Sequence, residues 1–471
     1  MLFPTLEFAL FFIVVFYFSW ELSFNNSYRK LFLLAASYFF YATLDFRFLP
    51  ILIISPTLNF LFGLWIGVEE NQKTKKIILG LTVSANLVLL GVFKYFDFFA
   101  GMIVDVFIRL GMTYGWQDDV YMNFVLPLGI SFFTFQGISY LVDIYRNELT
   151  FKNSLLDVLL YISFFPHLVA GPIVKASEFI PQLKAPPKSS DIPFLFAITL
   201  ILLGLFKKTI IANYLGLDIV DPIFDHPKNY GSLDILFAVY SYAVQIFCDF
   251  SAYSDMAIGF AYLLGYQFPI NFNQPYRAAS LKDFWRRWHI SLSRWLREYL
   301  YIPLGGNRTS EKKTYQNLII TMGLGGLWHG ASWNFITWGL LHGFGLAIEK
   351  KYNLDSDKGS YWKQLVKIVL VFNFVCFAWI FFRSESFGKS FEVLGQLFNI
   401  SKAPTKITPF YLSLFAIGMS FHFFKPLRSL AISDRLLKLP ALAYALVFAL
   451  MITLITALMP EGIAPFIYFR F

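Results

Sequence analysis

The sequence has 471 residues, of which 57% are hydrophobic and 15% charged, with a net charge of +9 and 57 phenylalanines. A soluble domain carries about 25% charged residues, and no globular core absorbs so much apolar surface while leaving enough polar residues for the outside. A soluble enzyme, a secreted domain and a disordered chain are excluded, which leaves a polytopic membrane protein.

In chain order, apolar stretches near spanning length run at 3–20, 30–45, 47–68, 77–100, 122–144, 155–173, 192–212, 232–265, 317–348, 364–382, 408–424 and 438–460. At about 20 residues per span they predict roughly 10–13 crossings. All should be helical, because lipid offers no partner to a free backbone N–H or C=O. The first stretch has no Lys or Arg before Arg29 and reads as a retained helix with its N-terminus outside, not as a signal peptide. The positive balance fits basic cytoplasmic loops rather than nucleic-acid binding. Cys248 and Cys376 sit in apolar runs, as packing residues do. The chain has no phosphate-binding glycine loop, no His-Glu-x-x-His zinc pair and no Gly-x-Ser-x-Gly elbow. No metal site is expected. The polar connections are short, so residues 1–471 form one membrane domain, and any chemistry lies among its helices.

Three polar features interrupt the apolar pattern. Asp249, Ser251, Ser254 and Asp255 lie within a long apolar run. Two carboxylates six residues apart do not share a helical face, so a re-entrant or broken helix beside a water-filled cavity would hold them at low cost. Pairing with arginines of 277–297 is the structural alternative. Between Leu281 and Lys313 eight basic and three acidic residues give a local balance of +5, which places this stretch on the cytoplasmic side. Projected as a helix, 281–299 gathers Trp285, Trp288 and Trp295 in an arc of about 120°. Arg286, His289 and Arg297 fall on the adjoining polar side, as in an interfacial helix.

The third feature is His329. Gly323, Gly325, Gly326 and Gly330 flank it and allow close approach of a helix or ligand. Trp328 and Trp333 bracket it, and Asn334 adds an amide. Imidazole is the side chain most readily tuned for proton exchange near neutral pH. An interhelical hydrogen-bonding role is equally compatible with these residues. His226 reads as a solvated loop residue and His422 as structural.

The runs Phe165–Ile173, Asp249–Gly259, Asp283–Ser293, Leu300–Arg308 and Gly325–Asn334 resemble motifs of the membrane-bound O-acyltransferase family. Tyr-Ile-Pro-Leu-Gly-Gly-Asn-Arg at 301–308 is most similar to its bacterial alginate O-acetyltransferase branch and separates it from the D-alanyl transferase branch. Ala252 departs from the branch, which often has Gly there; slightly altered packing and no lost chemistry are expected. The resemblance implies an all-α polytopic fold with interfacial and re-entrant helices and a catalytic core at 120–345. It implies movement of an acetyl group from a cytoplasmic thioester, acetyl-CoA, with no bound cofactor. The acetyl would go towards O-acetylation of an exopolysaccharide such as alginate, or of a cell-wall glycan.

By the same resemblance His329 is the catalytic histidine and His289 the second catalytic position, with a donor there stabilising the oxyanion. Arg286, Arg287 and Arg294 would meet the donor's phosphates, with Trp328 and Asn334 in the substrate site. Asp249, Ser251, Ser254 and Asp255 would be structural or tunnel-lining. The implied setting is the bacterial cytoplasmic (inner) membrane, with a periplasmic or surface SGNH-type acetyltransferase as partner, membrane lipid around the chain and no nucleic acid. Three alternatives stay open: peptidoglycan acetylation, D-alanyl transfer from a carrier protein to teichoic acid and, in a different class, a polysaccharide transporter or flippase.

Overall fold

The computed structural model describes residues 1–112, 120–308, 310–355, 359–424, 441–460 and 466–467, and among them there are helices and no strands. The helices are α1 (Leu6–Glu21), α2 (Asn26–Asp45), α3 (Leu49–Val68), α4 (Gln72–Lys94), α5 (Phe96–Arg109), α6 (Ile130–Tyr145) and α7 (Leu155–Ser163). There follow α8 (Phe194–Phe206), α9 (Ser232–Leu263), α10 (Leu281–Arg287), α11 (Ile290–Leu296), α12 (Glu311–His329) and α13 (Trp333–Lys351). Last come α14 (Tyr361–Arg383), α15 (Phe387–Gln396), α16 (Pro409–Ser420) and α17 (Ala441–Leu458).

Polar caps set many of the starts by accepting a first-turn N–H, one of the four a helix leaves without a partner. Asn25 does so for α2, Asn71 for α4, Ser280 for α10, Ser310 for α12 and Ser332 for α13.

Among the described residues six helical segments are long and apolar enough to cross a membrane. One of them, Asn26–Val68, contains both α2 and α3, and two shorter apolar helices cover 409–420 and 442–458. Residues 438–440 of the last apolar stretch lie outside the described residues. The hydropathic stretch 155–173 holds only the nine-residue α7 and then irregular chain. Nearly all of it is buried against protein, which is why it looks apolar without spanning.

Side chains pack into two apolar clusters. The first joins α1–α4, α6 and α7 with the second half of α9, and includes Trp295 and Trp328. The second joins the first half of α9 with α10 and α14, and includes Trp285, Trp288 and Trp338. α12 and α13 form a hairpin at the seam between the clusters. A Cβ on Gly326 would overlap the Phe335 carbonyl, and one on Gly339 the Met322 carbonyl, so the two backbones touch only because these residues are glycine.

Two expectations are corrected here. α9 is one unbroken helix of 32 residues, neither re-entrant nor broken, and most of it is buried. Its carboxylates pair with lysines of the neighbouring segment, not with arginines: Lys207 with Asp255 and Lys208 with Asp249, both at 2.5 Å. Lys207 also donates to Ser251 Oγ at 2.8 Å. The lysines sit where α8 runs on into widened, π-type turns at Lys207–Ala212. Charges held inside a membrane pair with one another, and these lysines lie inside an adjacent apolar segment.

The second correction concerns 281–299, which is not a single interfacial helix. It breaks between α10 and α11 at His289, whose backbone is left-handed with φ 42° and ψ 55°. No glycine or proline marks the break. The left-handed conformation costs a non-glycine residue of order 1 kcal/mol or more. It is held by Ile290 N–H donating to the Asn271 carbonyl and Ser293 N–H donating to that of His289, each at 2.9 Å. The break turns His289 fully inward, and Trp285, Trp288 and Trp295 face protein, not lipid.

Candidate active site

His329 is the last residue of α12, followed at once by extended Gly330 and by Ser332, which caps α13. The imidazole is buried and meets three rings edge-on, those of Trp328, Trp338 and Phe382, at centroid distances of 5.0, 5.0 and 5.1 Å. Trp328 comes from one apolar cluster and Trp338 from the other, so the ring sits in the seam. Trp333, expected as its second wall, is instead 48% exposed and packs against Phe98; Trp338, five residues further along α13, takes that place.

His289 also approaches Trp328, with ring centroids 6.2 Å apart, and is flanked by Phe250 at 4.6 Å. Trp328 thus touches both histidines, and Phe135 stacks on it at 5.3 Å. Asn271, which no sequence motif singled out, orients His289. Asn271 Oδ1 accepts Ser291 N–H at 3.2 Å and Ser291 Oγ–H at 2.9 Å, while its Nδ2 donates to Ser254 Oγ at 3.0 Å. Because a backbone N–H can only donate, the atom facing His289 Nδ1 at 3.2 Å is an oxygen. Nδ1 therefore carries the proton, and a neutral His289 has its lone pair on Nε2. An oxyanion-donor role through Nε2 needs the cationic ring; the neutral ring accepts there.

A cavity of about 920 Å³ lies beside this layer. Lys282, Arg286, Arg294, Arg297, Arg308 and Lys350 line it, with Glu349 and Asp355 as its acids. Both acids are engaged. Glu349 accepts the Leu281 and Lys282 N–H groups at the start of α10, and Asp355 pairs with Lys282 at 2.5 Å. That hydrogen bond from Lys282 holds Asp355 below the usual carboxylate range. Among the described residues Arg286, Arg297, Arg308 and Lys350 have no carboxylate within ion-pair distance, so the cavity presents net positive charge.

Thr321 and Met322 of α12 and Leu296 of α11 also line the cavity. Thr321, Gly325 and His329 follow at i, i+4 and i+8 on one helix face, so the imidazole stands about 12 Å along α12 from the cavity-lining Thr321. On the other side of α12's end a second cavity of about 40 Å³ is lined by Lys94, Gly129, Ser131, Trp328 and His329, among others.

The expected donor residues divide. Arg286 lines the large cavity. Arg294 also lines it but pairs with Glu178 at 2.6 Å. Arg287 does not line it and pairs with Asp283 at 2.9 Å, one helical turn away. Asn334 does not line the large cavity: its Nδ2 donates to the Ser384 carbonyl at 2.7 Å and ties α13 to the end of α14. Ser254 belongs to the Asn271–His289 chain, whereas Asp249, Ser251 and Asp255 belong to the lysine pairs. Arg297 and Arg308 were legible as basic residues but not as cavity-lining ones. Among the described residues no cluster of His, Cys, Asp or Glu could hold a metal. Cys248 and Cys376 are buried and unpaired.

Comparisons with known proteins place the chain in a family. Residues 145–387 match the model of the membrane-bound O-acyltransferase family. The chain is 37% identical over 412 residues to a peptidoglycan O-acetyltransferase of Helicobacter pylori, covering 80% of this chain and 75% of that protein. It is 39% identical over 405 residues to a probable alginate O-acetylase of Pseudomonas aeruginosa, covering 85% and 75%. To a teichoic acid D-alanyltransferase of Bacillus subtilis it is 32% identical over 285 residues, covering 56% and 70%. The matched region contains both histidines, the basic cavity and the glycine-packed hairpin, and the chain is a multi-pass acyltransferase that belongs to the membrane-bound O-acyltransferase family.

Proposed function

We propose that this acyltransferase takes an acetyl group from acetyl-CoA on the cytoplasmic side of the bacterial inner membrane and moves it towards the hydroxyl of an exported polysaccharide or cell-wall glycan. The observation that carries this reading is the basic cavity, whose lining residue Thr321 lies on the same face of α12 as His329, about 12 Å away. Cations without carboxylate partners suit a polyphosphorylated thioester donor, because phosphate contacts are charge-assisted and strong.

In this reading the His329 imidazole takes the proton of the attacking hydroxyl. The hydroxyl oxygen bonds to the thioester carbonyl carbon, the C–S bond breaks, and the proton returns to the departing thiolate. His289, neutral and protonated on Nδ1, does not compete for that proton; it packs against Trp328 and orders the site beside His329. The immediate acceptor is a hydroxyl of an SGNH-type transferase outside the membrane, which passes the acetyl to the glycan. The relatives named for alginate and peptidoglycan acetylation support an O-acetyl product at the level of chemistry.

The test is thioester consumption by the purified chain in lipid vesicles. Acetyl-CoA should release free CoA only when an acceptor is added. Release instead from a D-alanyl carrier protein, with acetyl-CoA inert, would move the chain to the D-alanyl reading. Labelling of a cysteine placed at Arg297 should come from the cytoplasmic side, and labelling from the other side alone would reverse the proposed direction.

A further inference from the structure

Lys94 ends α4, far in sequence from every motif described above. Its Nζ donates to the Trp328 carbonyl at 2.7 Å, to the His329 carbonyl at 3.1 Å and to Ser131 Oγ at 3.3 Å. The next residue, Tyr95, donates its hydroxyl to the Leu327 carbonyl at 2.9 Å. Three consecutive carbonyls at the end of α12 are thus taken by two side chains more than 230 residues away.

A helix leaves its last four carbonyls without intrahelical partners, and its C-terminus carries partial negative charge. Helices commonly close this end with a left-handed residue. α12 cannot, because Gly330 is extended and the chain turns directly into α13. Among the described residues Lys94 has no carboxylate within ion-pair distance, and its charge faces the helix end. Its ammonium also lies 5.9 Å from the Trp328 ring and borders the small cavity that His329 lines.

We propose that Lys94 is a positioning residue for acyl transfer: by holding the Trp328 and His329 carbonyls it fixes where the His329 imidazole stands relative to the small cavity. The glycine contacts of the hairpin fix α12 sideways through Gly326. Beyond Gly326 it is Lys94 and Tyr95 that hold the carbonyls of the last turn. The proposal rests on His329 being the base. It is tested by one measurement that depends on this reading and one that does not.

In the full chain reconstituted in lipid, Lys94→Met should lower kcat by about 10²-fold, the order expected when a reacting group moves by an ångström. KM for the thioester donor should stay within about twofold. Amides at 325–329 should exchange about tenfold faster, reporting a loosened helix end. Tyr95→Phe should move both readouts in the same direction by less, and carries the test by itself if Lys94→Met does not accumulate in the membrane.

Unchanged kcat overturns the proposal. So does a loss of kcat with unchanged exchange, which would put the ammonium on the reacting atoms. A raised KM at constant kcat would make Lys94 a substrate-binding group and also overturns it. Exchange is measured without substrate. A His329→Ala chain that remained active would therefore defeat the base assignment while leaving the exchange result standing.

Discussion

Asn271 Oδ1 lies 3.2 Å from His289 Nδ1 and accepts the Ser291 amide through the same oxygen, which fixes which nitrogen of His289 carries its proton. Asn271→Ala should therefore free the ring to rotate and to change tautomer. An orienting hydrogen bond is worth about 1–1.5 kcal/mol, so kcat should fall about tenfold with little change in donor KM. Steady-state kinetics on the membrane-inserted variant checks this, and a wild-type rate would remove Asn271 from the mechanism.

His329→Ala should abolish acetylation, by about 10²–10⁴-fold for loss of a general base, while the protein still inserts. Its neighbours are aromatic rings that stay in place. His289→Ala should cost less, because His289 orders the site through its packing on Trp328 and does not take the proton. Acetate on the glycan at matched protein levels is the measurement. Near-normal acetylation by His329→Ala would transfer the base role to His289.

The arginines should separate by what they touch. Arg286→Ala removes a cavity cation without a carboxylate partner and should weaken acetyl-CoA binding by roughly 10–100-fold, as a charge-assisted contact of about 1.5–3 kcal/mol implies. Arg287→Ala should leave donor KM near wild type, since Arg287 pairs with Asp283 away from the cavity. Equal effects of the two would argue that the cavity charge acts only through its long-range field.

Lys208→Met should destabilise the fold by about 3–5 kcal/mol, because it leaves Asp249 buried without its cation. Replacing both, Lys208→Met with Asp249→Leu, should recover most of that loss, less what Ile467 N–H loses as a donor to Asp249 Oδ2. Thermal unfolding of the purified variants reads the coupling. Additive losses would mean that the two residues act independently.

The sequence determined the solvent: with 57% hydrophobic residues and no large polar segment, only a membrane could take the chain. It also determined the chemistry-bearing residues. A histidine among glycines and tryptophans, and arginines in one short basic stretch, are local patterns, and local patterns survive in a linear string.

Tertiary structure decided every partnership across the chain. The break at His289 has no glycine or proline to announce it; it exists because Asn271, 18 residues earlier, receives the turn. The carboxylates of α9 were legible, but not that lysines of the preceding apolar segment would meet them. Trp338 replaced Trp333 because the glycine-packed hairpin sets the register of α13 against α12. Lys94 carried no signal at all: its task arises only where α4 ends beside carbonyls that α12 cannot satisfy by itself. Helical periodicity and composition are properties of neighbours in sequence, whereas an unsatisfied carbonyl or a buried charge is answered by whatever the fold brings within 3 Å or so.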